Sequence, residues 1–137
     1  MKKIVVLILM ICLAIGMFAC GGGDANKVPD LTGVWVQNNS ASKDTWQEAT
    51  IQGETIEINW MFEGDSSKAL YWAGTYQAPT TAVAEYSWTS QNDTSKTSEA
   101  LLASDAATKD FKYKDGKISY EVTAMGITTT VELEKKQ

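Results

Sequence analysis

Between Thr55 and Phe62 apolar and polar residues alternate: Ile56, Ile58, Trp60 and Phe62 share one parity, Thr55, Glu57 and Asn59 the other. A period of two sends successive side chains to opposite faces of a strand, so one face of this segment meets a core and the other meets water. The same period returns at Ile118, Tyr120 and Val122, and again at Ile127, Val131 and Leu133. Short glycine turns separate such runs. Asp115-Gly116 is a strong hairpin signal, and Gln52-Gly53-Glu54 and Met125-Gly126 supply two more.

Strands are expected at about 32–38, 45–52, 54–63, 69–77, 83–91, 109–114, 117–124 and 127–134. Eight strands joined by hairpin turns describe an all-β antiparallel domain, because closure into a barrel or stacking into a sandwich hides the sheet edges. An up-and-down eight-stranded barrel is favoured over a sandwich. No internal repeat points to a propeller or solenoid. Residues 92–108 resist assignment, and Ser98–Ala103 reads equally as one helical turn or a short strand.

Ahead of this domain, Lys2 and Lys3 precede an uncharged, largely apolar run from Ile4 to Phe18. That run falls short of the ~20 residues of a membrane span and has the form of the helix of a signal peptide. It ends in Met17-Phe18-Ala19-Cys20, which resembles the lipobox of bacterial lipoproteins, with Met17 where that family prefers Leu. The resemblance implies removal of residues 1–19 and a diacylglyceryl group on the Cys20 thiol. Two acyl chains, palmitate-like in length, would hold the product stably at the extracytoplasmic face of the cell membrane. Residues 20–29, opened by Gly21-Gly22-Gly23, read as a flexible tether of at most ~30 Å, and residues 30–137 form the domain.

Composition excludes several functions. The chain has no His and no Arg. Of its two cysteines, Cys12 leaves with the signal peptide and Cys20 carries the lipid, so Ser-His-Asp and Cys-His catalysis and His/Cys zinc sites are impossible. Glu57, Glu63, Glu121, Glu132 and Glu134 fall mainly on outward positions and read as a solvated face rather than a glycosidase pair. The acidic loops Glu63–Ser67 and Asn92–Thr94 lack EF-hand spacing. Neither an enzyme nor a metal or other cofactor is expected. Loss of residues 1–19 removes two lysines and no acidic residue, which takes the formal charge from −5 to −7. A domain so charged is repelled by phosphate backbones, and no nucleic-acid partner is expected.

At the first strand, Gly33-Val34-Trp35 resembles the Gly-x-Trp opening of lipocalins and related calycins, in which the Trp plugs the base of the barrel. The resemblance implies a basic side chain over that Trp, usually Arg, and here only a Lys can take that place. Nearly the whole of 20–135 is similar to small lipoproteins of Gram-positive bacteria and their phages. The likeness rests on Cys20–Gly23, the Leu-Tyr-Trp-Ala-Gly-Thr stretch Leu70–Thr75 and the Tyr-Lys-Asp-Gly-Lys-Ile-Ser-Tyr stretch Tyr113–Tyr120. It implies a location and a fold, not an activity.

Trp60, Trp72, Tyr76, Tyr86 and Trp88 share inward parity and would line the barrel interior. Large side chains usually fill an eight-stranded barrel, so a packed core weighs more than a ligand cavity. Trp46 breaks parity with Ile51 and is either exposed or moved inward by a bulge. Two functions follow as expectations. One is a non-catalytic, membrane-anchored module that binds a small apolar or envelope-derived ligand. The other is a filled barrel that engages an envelope protein, for instance as a phage-encoded surface modifier.

Overall fold

The computed structural model describes residues 26–137. The signal segment and Cys20 lie outside the described residues. Eight strands follow in chain order: β1 (Gly33–Gln37), β2 (Thr45–Gln52), β3 (Thr55–Phe62), β4 (Ser67–Thr75), β5 (Glu85–Gln91), β6 (Thr108–Lys114), β7 (Lys117–Ala124) and β8 (Ile127–Lys135). A single helical turn, α1 (Thr94–Thr97), lies between β5 and β6. All strand pairs are antiparallel, in the order β4-β3-β2-β1-β8-β7-β6-β5, so the sheet is a meander that curls into a half-barrel. No helix among the described residues is long and apolar enough to cross a membrane.

Closure differs from a continuous barrel. The edge strands β4 and β5 share one backbone bridge, Gly74↔Asn92, rather than a ladder. Side chains and the following loop complete the join: Trp72 Nε1 donates to Ser90 Oγ at 3.0 Å, and Gln91 N donates to Thr75 Oγ1 at 2.8 Å. Asp93 N reaches Ala73 O at 2.8 Å, and Ser104 N reaches Tyr71 O at 2.9 Å. The 92–107 connection is therefore laid over the edge of β4, which blunts an otherwise open row of backbone groups. Asp93 starts α1 by accepting from Ser95 N, and Thr97 Oγ1 donates to Asn92 Oδ1 at 2.6 Å. The helical turn thus sits earlier than Ser98–Ala103, which is neither helix nor strand.

Alternation places the core as expected. Trp35, Ala49, Ile51, Ile56, Ile58, Trp72, Phe111, Ile118 and Leu133 are almost fully enclosed on the inner face. One irregularity changes the parity. Ile58 pairs with Trp72 and Asn59 with Leu70, which leaves Tyr71 as an extra residue of a β-bulge and turns both Tyr71 and Trp72 into the interior. Trp46 takes the outer face of β2 opposite Met61 and is half-buried there without any bulge, because Gln47, Ala49 and Ile51 hold the inward positions. Gln47 is the polar exception inside; its Oε1 accepts from the Tyr120 hydroxyl.

The meander has two distinct ends. Both ends of the domain, Asp30 and Lys135, lie at the base with the β2–β3 and β6–β7 turns, while the β1–β2, β3–β4, β5–β6 and β7–β8 connections form the opposite mouth.

Candidate functional site

At the base, Trp35 is 2 % exposed and its Nε1 donates to Leu31 O at 2.9 Å. The Lys135 ammonium lies 5.9 Å from the Trp35 ring centroid and donates to Asp30 O at 3.1 Å. Gly33 makes room for it: with φ +130° there, an added Cβ would stand 3.1 Å from Lys135 Cε. Tyr113 meets the Trp35 ring edge-on at 6.3 Å. Trp35, Lys135 and Tyr113 thus pack against one another as a plug at the base.

The mouth is different. A pocket of about 660 Å³ opens between the end of β3 (Trp60, Phe62), the bulged Tyr71, residues 102–106 of the connection, and the facing ends of β6 and β7. That volume falls within the usual range of small-molecule sites. Trp60, Phe62 and Tyr71 are the aromatics that line it, and from Tyr71 an aromatic series runs into the core. Trp60 meets Tyr71 edge-on at 5.8 Å, Tyr71 stacks on Tyr120 at 6.5 Å, and Tyr120 adjoins Phe111 at 5.2 Å. The series continues through Trp88, stacked on Phe111 at 5.0 Å, to Tyr76 and Tyr86.

Of the five aromatics expected inside, Trp60 alone lines this pocket, half-buried. Trp72, Tyr76 and Trp88 are buried core residues, and Tyr86 is half-buried against Trp88 with its hydroxyl on Gln77 O. Sequence reasoning missed Tyr71, which the bulge turns inward, and Lys109. The parity of Lys109 with Phe111 and Tyr113 carried the signal, since it puts a lysine on an inner face.

The rim is apolar and open to solvent. Leu101 and Met125 are fully exposed, Ile127 is 68 % exposed and Leu102 half-exposed. Leu102 and Ala124 line the pocket, Ile127 pairs with Ala124, and Met125 joins them in the β7–β8 turn. Met125 sits at φ +53° ahead of Gly126 at +78°, a turn geometry in which bulky side chains are disfavoured by about 1–2 kcal/mol. The β6–β7 turn uses the residue folding would select at the same place, Asp115 at φ +53° before Gly116. Met125 is fully exposed and so buries no apolar surface in the fold.

A second concavity, about 1040 Å³, runs along β5, β6 and β7, lined by outward Thr89, Lys112 and Ser119 and also by the core aromatics Trp88, Phe111 and Tyr120. It is a broad groove whose exposed walls are mostly polar, whereas those of the mouth pocket are mostly apolar, the kind of surface that drives small-molecule binding. The two acidic loops use their carboxylates locally. Asp65 accepts from Ser67 N and Oγ, which holds its pKa below the ordinary value, and Asp93 caps α1. No group of three or more His, Cys, Asp or Glu able to hold a metal ion occurs among the described residues.

Burial raises the phenols of Tyr71 and Tyr76 to about 12, and Tyr120 well above 10. A phenol that stays neutral in the folded state while the unfolded chain ionises contributes stability that is full below pH 10 and lost as pH rises toward 12. Burial lowers Lys109, with the nearby Glu121 carboxylate opposing, and this acts in the opposite sense and offsets part of the loss. Urea denaturation should show stability falling by about 2 kcal/mol between pH 9 and 11. A flat profile over that range would show the rings to be solvated.

No family model, no curated protein and no solved structure matches this chain.

Proposed function

We propose that this chain is an extracytoplasmic lipoprotein, held at the membrane by a diacylated Cys20, whose lipocalin-like domain captures a small apolar or amphipathic molecule in its mouth. The observation that carries the reading is the pairing of an aromatic-lined pocket of about 660 Å³ with exposed Leu101, Leu102, Met125 and Ile127 on its rim. Exposed apolar residues clustered around one opening mark a binding site, whereas scattered ones need no explanation. The lipocalin-like reading draws support from Gly33, Trp35 and Lys135 at the base, where the lysine takes the place over the tryptophan that an arginine would hold. Asp30, where the domain begins, lies at that base, at the end opposite the mouth.

The same rim supports a second reading, an envelope-protein partner gripped by Leu101, Met125 and Ile127. One purification separates the two. The full chain, taken from its producing cell in amphipathic polymer rather than detergent, is expected to carry a small apolar molecule at near one per chain by mass spectrometry. Recovery of a protein in its place, lost on Leu101→Ser and Ile127→Ser substitution, would favour the second reading. The anchor is tested in parallel. Cys20→Ser should abolish incorporation of radiolabelled palmitate, and persistent labelling would refute the attachment.

A further inference from the structure

The wall beside the mouth pocket is split. β6 and β7 pair at Lys114↔Lys117, Tyr113↔Ile118 and Lys112↔Ser119, and there the ladder stops although both strands run on. Continuing the register would set Asp110 against Glu121, two carboxylates directly opposed on the outer face, an arrangement that disfavours pairing. Lys109 lies in the opened stretch. Its ammonium donates to Glu121 O at 2.9 Å and lies 5.1, 5.5 and 5.8 Å from the ring centroids of Tyr71, Trp72 and Tyr120.

Lys109 is half-buried and lines both the mouth pocket and the second concavity. The ion pairs among the described residues engage Lys96, Lys112, Lys114 and Lys117, and none engages Lys109. The neighbouring Asp110 carboxylate accepts from Thr89 Oγ1 at 2.6 Å. A half-buried ammonium with one hydrogen bond, three aromatic neighbours and no direct ion pair, the Glu121 carboxylate acting only from a distance, keeps donor capacity that an anion brought to it would use. The depressed pKa of Lys109, caused first by burial, agrees with this geometry.

We infer that the mouth pocket selects a single-chain amphiphile with a singly charged anionic head, whose carboxylate pairs with Lys109 while its alkyl chain lies against Trp60, Tyr71 and Val122. This rests on the proposed function and names the ligand class for the same pocket. Asp105 and Glu121 also line the opening, and they penalise a doubly charged head such as a phosphate monoester more than a carboxylate.

The test titrates the full chain, held in amphipathic polymer, with dodecanoate, dodecanol, dodecyl phosphate and dodecyltrimethylammonium below their micellar concentrations, read by calorimetry. Dodecanoate is expected to bind about tenfold or more tighter than dodecanol, the gain of a charge-assisted hydrogen bond. Lys109→Met should bring dodecanoate down to the dodecanol value and leave dodecanol unchanged. Lys109→Arg, which keeps the charge and guards against misfolding of the first variant, should retain most of the preference. Equal binding of dodecanoate and dodecanol, or a stronger hold on dodecyl phosphate or dodecyltrimethylammonium, overturns the inference and leaves the apolar-ligand reading standing. Failure of every probe to bind overturns both.

Discussion

Replacing Trp35 with alanine should lower the stability of the domain by about 4 kcal/mol, the usual cost of removing a fully enclosed tryptophan. Trp35 is almost completely buried and holds three separate parts of the chain together. Its indole N–H ties Leu31, its face carries the Lys135 ammonium from the last strand, and its edge meets Tyr113 from β6. Loss of the side chain leaves a cavity at the seam of β1 and β8, the pair that joins the two halves of the meander. Urea denaturation reads the change directly. Lys135→Gln should cost only about 1 kcal/mol, since it removes an exposed cation–π contact and leaves the plug in place. A loss under 1 kcal/mol for Trp35→Ala would show that the base does not hold the sheet.

Gly74→Ala should be nearly as damaging, at about 3 kcal/mol, the upper end of the usual cost of overpacking. Gly74 forms the single backbone bridge between β4 and β5, and the two strands approach there as only a residue without Cβ permits. An added Cβ would lie 2.5 Å from Gln91 O and 2.7 Å from Trp72 Nε1, and would collide with Ser90 Oγ as well. The hydroxyl can rotate away, but the Gln91 carbonyl belongs to the backbone and cannot. Hydrogen exchange should therefore quicken at Gln91 and Asp93, whose amides bond Thr75 and Ala73 across the join. Adding Ser90→Ala should recover only part of the loss. Parental stability in Gly74→Ala would mean that β4 and β5 are not held in contact.

Much of the fold was legible because the period of two is set by local geometry. The alternation from Ile56 to Phe62 and from Ile118 to Val122, with Gly53, Gly116 and Gly126 at the turns, placed each of the eight strands within a few residues of its observed ends. The departures depend on partners distant in sequence. The bulge at Tyr71 becomes visible only once β3 and β4 are in register, and it turned inward a residue that simple alternation from Trp72 sends outward. The split between β6 and β7, beyond which Asp110 and Glu121 would face each other, becomes visible only once the register of that hairpin is known. The 92–107 connection has no period of its own, because it is held by single bonds from Asn92, Asp93, Thr97 and Ser104. Trp72, Tyr76 and Trp88, expected to line a cavity, are buried, and of these Trp88 borders the second concavity. Alternation places Trp60, Phe62, Lys109 and Val122 on the inner face, but which of them line the mouth depends on the Tyr71 bulge and the 102–106 connection, which no local rule supplies.

The mouth, and no other part of the surface, is proposed to receive an apolar molecule. Amide chemical-shift mapping of the full chain with dodecanol tests it most directly. The account predicts saturable shifts confined to Trp60, Tyr71, Leu102, Val122 and their neighbours. Shifts centred on Thr89, Lys112 and Ser119 of the second concavity, or none that saturate, would contradict it.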